Sequence, residues 1–241
     1  MKGHLTSTIS AVTLATVACG LVFSLSNAYA QSPELVKKVD AVKQAAAANK
    51  QALASYTWQE QQVISLKGEV KKTVSYQVSI GPDGQQQKIE LGSTSAPPPS
   101  GGRLKQRIVA RKTDEFQQYG QNVAGLVKQY APPDPQLLQQ AYQQGNISIQ
   151  LGGTPGTVTL VIRNYIKPGD SMTLVFNEAS KAILSLQVAT YLSDPKDAVT
   201  LAVQFSKLSA GVNHVSTVQV NGVSKQMTVA LKNFNYQLSQ M

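Results

Sequence analysis

A single helical stretch, Arg103 to Gln144, interrupts a chain that otherwise alternates as strands from Ser55 onward, and this division limits the folds open to it. Leu104, Ile108, Phe116, Tyr119, Val123, Leu126, Val127 and Tyr130 recur three or four apart, with one hole at Lys112, and so line one face of a helix. Pro132 and Pro133 stop that helix, because proline lacks the N–H and its ring clashes with the preceding turn. Asp134 followed by Pro135 opens a second helix, with the carboxylate as N-cap and proline at the first helical position. Leu137, Leu138, Ala141 and Tyr142 are expected to face inward, and Gly145 to end the helix. Strand-forming sequence lies on both sides, so the pair predicts a lid or plug inserted between two groups of strands.

Ser32-Pro33-Glu34 carries the signs of a helix start, and Leu35, Val39, Val42, Ala46 and Leu53 mark one face of a helix reaching about Ala54. From Ser55 the period changes to two. Tyr56, Trp58, Ile64 and Leu66 share one face, Lys67-Gly68-Glu69 turns, and Val70, Val74, Tyr76, Val78 and Ile80 alternate with polar residues on the return. Gly81-Pro82-Asp83-Gly84 predicts a turn into a weaker third strand over residues 86–91, and Gly92 to Gly102, with its proline run, a connecting loop. Beyond Gly145 strands resume at Ile147 to Leu151 and Thr157 to Ile166. Later strands carry Met172, Leu174 and Phe176, then Leu184, Leu186 and Val188, then Val199, Leu201, Val203 and Phe205. Asn221-Gly222 is a two-residue hairpin signal before the last strand. The count, about ten strands at meander spacing, predicts an α+β protein: a strongly curved antiparallel sheet, an incomplete barrel, with an N-terminal helix and a two-helix insertion over about 103–144.

Lys2, the apolar run Ala11 to Leu25 and Ala28-Tyr29-Ala30 read as a secretory signal cleaved after Ala30, leaving a single domain over 31–241 in the periplasm. Cys19, the only cysteine, sits in Thr16-Val17-Ala18-Cys19-Gly20, which spells a lipoprotein processing site only in part and reads as ordinary signal sequence. The exported chain then has no thiol, which excludes disulfides, thiolate catalysis and cysteine metal sites. Its 21 basic and 13 acidic residues (Lys2 being lost from 22) give a net charge of +8, which points to anionic lipid or polymer surfaces rather than nucleic acid.

Little in the chain carries reaction chemistry. His214 is the only histidine after His4 leaves with the signal, so neither a multi-histidine metal site nor a histidine-based triad with a second histidine can form, and His214 itself reads as a structural strand residue. Asp114 and Glu115 adjoin on a helix and diverge by about 100°. No phosphate-cradling glycine loop appears. The reading is of no catalytic residue, no metal and no cofactor. A hydrolase with carboxylates converging across strands is the enzyme alternative. Arg103, Lys105, Arg107, Arg111 and Lys112 place five cations within ten residues with no acid between them, either a solvated helix face or a contact for anionic headgroups.

The lead-in Ala54-Ser55-Tyr56-Thr57-Trp58-Gln59, the long hairpin, the helical insertion and the closing aromatic strand Lys232-Asn233-Phe234-Asn235-Tyr236 resemble the periplasmic lipoprotein carriers of the LolA-like and LolB-like family. The resemblance is one of layout over nearly the whole exported chain. No arginine–proline pair follows the first hairpin, where such carriers usually show one. The resemblance implies a non-enzymatic periplasmic protein that holds an acyl chain, lipid or lipidated protein on the concave apolar face of a half-open barrel. The candidate pocket residues are Trp58, Ile64, Tyr76, Val78, Phe176, Leu186 and Phe205, and the candidate lid residues are Phe116, Tyr119, Leu126, Tyr130 and Leu138. The chain would be soluble and able to associate with membrane surfaces. A protein-interaction or envelope-stress sensing module, holding an envelope protein partner on the same scaffold, is the alternative.

Overall fold

The computed structural model describes residues 48–96, 102–131, 133–151 and 153–239. The signal segment, its cleavage site and the helix start at Ser32 lie outside the described residues. Helix α1 is described over residues 48–54. A first hairpin follows, β1 (Tyr56–Leu66) and β2 (Glu69–Ile80), joined by Lys67 and Gly68, whose positive φ angles of 53° and 80° make the two-residue turn that matches strand twist. β3 (Gln86–Ser95) runs four residues beyond the expected strand. Then come α2 (Arg103–Val127) and α3 (Pro135–Gln143), β4 (Ile147–Leu151), β5 (Thr157–Arg163), β6 (Ser171–Asn177), β7 (Ala182–Tyr191), β8 (Ala198–Lys207), β9 (Asn213–Gly222) and β10 (Met227–Leu238).

All ten strands form one antiparallel sheet in the order β3-β2-β1-β10-β9-β8-β7-β6-β5-β4. First and last strands pair inside the sheet, as its third and fourth members, and its two free edges are β3 and β4, which flank the helical insertion in sequence. The chain therefore leaves one edge of the sheet, crosses as two helices, and rejoins at the other edge. One cluster unites Val123 and Leu126 of α2, Tyr130 of the turn that follows it and Leu138 of α3 with buried residues from every strand from β5 to β10. Six strands at roughly 4.8 Å spacing are about 24 Å across, wider than a helix of about 10–12 Å, so the sheet must curl around the helices to make these contacts. The result is an incomplete barrel with a helical insertion across its concave side.

The helix signals read from the sequence operate as expected at α3, where the Asp134 carboxylate accepts from the N–H groups of Gln136 (2.7 Å) and Leu137, with Pro135 in the first turn. Tyr142, expected to face inward, is instead exposed at 64%. Among the described residues of this short helix, the fully buried ones are Leu138 and Ala141, and Leu137 is half-buried. Asn221-Gly222 is not the last turn. Both residues remain in β9, Gly222 pairs with Met227, and the turn is residues 223–226 with Gln226 at φ 48°. Gly222 is needed for contact: a Cβ there would lie 2.6 Å from the Tyr119 hydroxyl and 2.7 Å from its ring.

Candidate ligand-binding groove

Two adjacent stripes of α2 face protein. Tyr119 and Leu126, with Tyr130 in the turn just after α2, seat the helix in the core. Tyr119 lies over Gly222, and its hydroxyl donates to Asp197 Oδ1 at 2.9 Å; burial and this hydrogen bond push its pKa up to about 12. Tyr130 is fully buried in the turn after α2 and donates to Asp170 Oδ2 at 2.6 Å; burial, then that bond, raises its pKa well above the usual phenol range.

The neighbouring stripe, Val109, Phe116, Gly120, Val123 and Val127, roofs a groove of about 530 Å³. Its far wall is Val218 and Val220 of β9 with Met227, Val229 and Leu231 of β10; its near side is Ile64 and Leu66 of β1. The pairing explains this composition. Gln62 lies opposite Leu231, Ile64 opposite Val229 and Leu66 opposite Met227, while Val229 and Leu231 lie opposite Val220 and Val218, so these side chains project from the same face. Small residues, Gly120 and Ala124, lie where bulkier ones would fill the space. The polar lining consists of Gln62, Lys71, Lys72, Lys112, Thr113 and Gln117. A volume of this size lies within the roughly 300–1,000 Å³ typical of ligand pockets.

The residues singled out from sequence distribute over three places. Ile64 and Phe116 line the groove, as does Lys112. Tyr119, Leu126, Tyr130, Leu138 and Leu186 are in the packed core, and Phe205 packs against it. Trp58, Tyr76 and Val78 lie farther along β1 and β2, outside the groove; Phe176 is half-buried just past an irregularity in the β6–β7 pairing. Arg107 and Arg111 are exposed, the latter 3.5 Å from Glu115, while the side chains of Arg103 and Lys105 lie outside the described residues. Sequence reasoning missed Gln62 and Glu60, both only 5% exposed. Their signal was parity: positions 60 and 62 share the alternation of Trp58, Ile64 and Leu66.

Beyond Gln62 the sheet carries a polar and aromatic cluster. Glu60 meets Lys88 Nζ at 2.6 Å, both side chains being at least nine-tenths buried. Trp58 stacks on Tyr236 with centroids 5.4 Å apart, and His214 lies 4.2 Å from the same ring with Nδ1 3.1 Å from the Val215 carbonyl. Burial pulls the His214 pKa below its ordinary value, against the raising effect of the carbonyl. The unfolded chain therefore binds more protons below pH about 6.5, so this group's contribution to stability is complete above that pH and is lost as pH falls towards the folded pKa. Urea midpoints at pH 7.5 and 5.5 are expected to differ more in the wild type than in His214→Gln; parallel shifts would remove His214 from the account.

Among the described residues, no helix is long and apolar enough to cross a membrane, and no three His, Cys, Asp or Glu side chains are placed to hold a metal ion. The arrangement defines a class: an open antiparallel half-barrel with helices across its concave face and an apolar groove beside the longer one. Two solved structures are similar to this chain. A LolA superfamily protein from Nitrosomonas europaea is 11% identical, with 84% of this chain and 94% of that one covered at a TM-score of 0.37. A DUF1329 family protein from Desulfovibrio piger is 10% identical, with 83% and 92% covered at a TM-score of 0.37. No protein-family model and no curated protein matches the chain.

Proposed function

We propose that this chain is a non-enzymatic binding protein, exported to the periplasm, that holds an acyl chain of a lipid or lipidated protein beneath α2. The observation that carries this reading is the groove itself, open space bounded by apolar side chains from α2, β1, β9 and β10. Burying an acyl chain there gains about 0.8 kcal/mol per methylene, so roughly ten methylenes would outweigh the ordering of one flexible chain. The exposed first half of α2 crosses the groove from an edge connection, which lets it act as the lid while its second half stays seated in the core.

The test is calorimetric titration with lysophosphatidylcholines of increasing chain length, below their micelle concentrations. Affinity should rise about fourfold per added methylene until the groove is filled. Gly120→Phe should weaken binding at least tenfold by occupying the space, without loss of stability, since glycine inside a helix costs about 1 kcal/mol relative to alanine. An affinity independent of chain length would leave the interaction module as the better reading. Export is tested separately: the N-terminus of protein recovered from the periplasm should be Gln31.

A further inference from the structure

The groove has two unlike sides. The β9–β10 wall is entirely apolar, whereas the β1–β2 side and the adjoining flank of α2 bring Gln62, Lys71, Lys72 and Lys112 to the same space. Among the described residues, no acidic one lines it. Lys71 is ion-paired with Glu69, and Glu115 of α2 faces Arg111 and Lys225. Lys72 and Lys112 have no carboxylate partner among the described residues. Thr113 is already committed, its hydroxyl donating to the Val109 carbonyl at 2.9 Å.

Gln62 is the second, independent observation. It is 5% exposed, yet its side-chain amide has no hydrogen-bond partner among the described residues, and it lines the groove. The amide is therefore left to the solvent of the groove, and a ligand that displaces this solvent must supply a polar group in its place or leave the amide unpaired at a cost of about 1–3 kcal/mol. Register places it beside a free cation: Gln62 is opposite Val74 and Lys72 is opposite Ile64, which makes Gln62 and Lys72 diagonal neighbours on one face of adjacent strands. Lys112 comes from α2 above.

We propose that the acyl ligand carries an anionic headgroup, a carboxylate or phosphate whose oxygens accept from the Lys72 and Lys112 ammonium groups and the Gln62 amide while its chain lies along β9 and β10. This rests on the groove being the acyl site and names the class of ligand it selects. Two unpaired cations beside apolar walls attract an anion more strongly than the same charges in open water, because the walls exclude solvent and focus the field. The tail fixes the headgroup at the β1–β2 side, and the headgroup in turn pairs with the Gln62 amide that opens onto the groove there.

The experiment compares ligands with one chain length and different heads. Dodecanoate, lauroyl lysophosphatidylglycerol, lauroyl lysophosphatidylcholine and inorganic phosphate alone are titrated into the full exported chain at low and high salt. At least one anionic amphiphile should bind about tenfold more tightly than the zwitterionic one at low salt, and this preference should shrink as salt rises. A preference for dodecanoate alone assigns the carboxylate, and a preference for lysophosphatidylglycerol alone assigns the lipid phosphate. Lys72→Gln with Lys112→Gln should abolish the preference, and Gln62→Leu should weaken the anions more than it weakens lysophosphatidylcholine. Equal binding of anionic and zwitterionic amphiphiles, with chain-length dependence retained, would overturn the headgroup and spare the groove. Inorganic phosphate binding as tightly as the amphiphiles would overturn it too, since the anion would then need no chain. Loss of all chain-length dependence would instead overturn the groove reading on which the headgroup depends.

Discussion

Asp170→Ala is expected to lower the unfolding free energy by about 3–5 kcal/mol, because four hydrogen bonds end on one buried carboxylate. Oδ1 accepts from the Tyr165 N–H at 2.6 Å, and Oδ2 accepts from the Ile166 and Lys167 N–H groups at 2.9 and 3.0 Å and from the Tyr130 hydroxyl. The residue is 2% exposed, so water cannot replace the lost acceptor without opening the loop. The same loop holds the elbow between α2 and α3. Tyr130, in the turn after α2, also meets Thr190 Oγ1 at 2.7 Å, while the Tyr165 hydroxyl accepts from the N–H of Asp134, the α3 cap. Asp170→Asn keeps an acceptor oxygen but turns an amide donor towards other donors, and should lie between wild type and alanine. Urea unfolding followed by circular dichroism reads the effect, and a loss below 1 kcal/mol for the alanine variant would contradict the role given to this carboxylate.

Gly222→Ala is expected to cost about 2–3 kcal/mol, near the upper end for overpacking, although alanine is ordinarily tolerated in a strand. The added Cβ would lie 2.6–3.0 Å from three atoms of the Tyr119 side chain. Relief requires the ring to move, which breaks its bond to Asp197 and unseats α2 midway along its length. The explanation is specific to one pair, so it is tested by a double-mutant cycle. In a Tyr119→Ala background the glycine substitution should cost less than about 0.5 kcal/mol, a coupling of about 2 kcal/mol. Equal costs in both backgrounds would mean that Gly222 matters for a backbone reason and not for the helix above it.

These two positions also show where the sequence ceases to be legible. Gly222 after Asn221 spells a hairpin turn, and a local rule reads it so; its actual constraint comes from a tyrosine more than a hundred positions away. Asp170 at the end of Lys167-Pro168-Gly169 reads equally well as a solvated turn acid, because nothing local says that Tyr130 will arrive above it. Strand number and the place of the helical insertion were readable, since alternation and proline stops are local. The topology joining the β3 and β4 edges across the concave side was not. The candidate site suffers from the same limit. Core and groove residues obey one alternation, so Leu186 and Ile64 look alike until α2 takes its position, covers the first and leaves the second beside open space. Gln62 was passed over because a polar residue in a hairpin is usually on the wet face, even though its parity placed it with Trp58 and Ile64.

The central claim, that the groove beneath α2 holds an acyl chain, is tested most directly by photo-crosslinking with a diazirine-bearing fatty acyl probe, followed by peptide mapping of the labelled protein. Labelling is predicted to saturate near one chain per protein, to fall on α2 from Phe116 to Val127 and on β9 and β10 from Val218 to Leu231, and to disappear in Gly120→Phe. Labelling concentrated at Trp58, Tyr76 or Phe176, or spread over the surface without saturation, would contradict it.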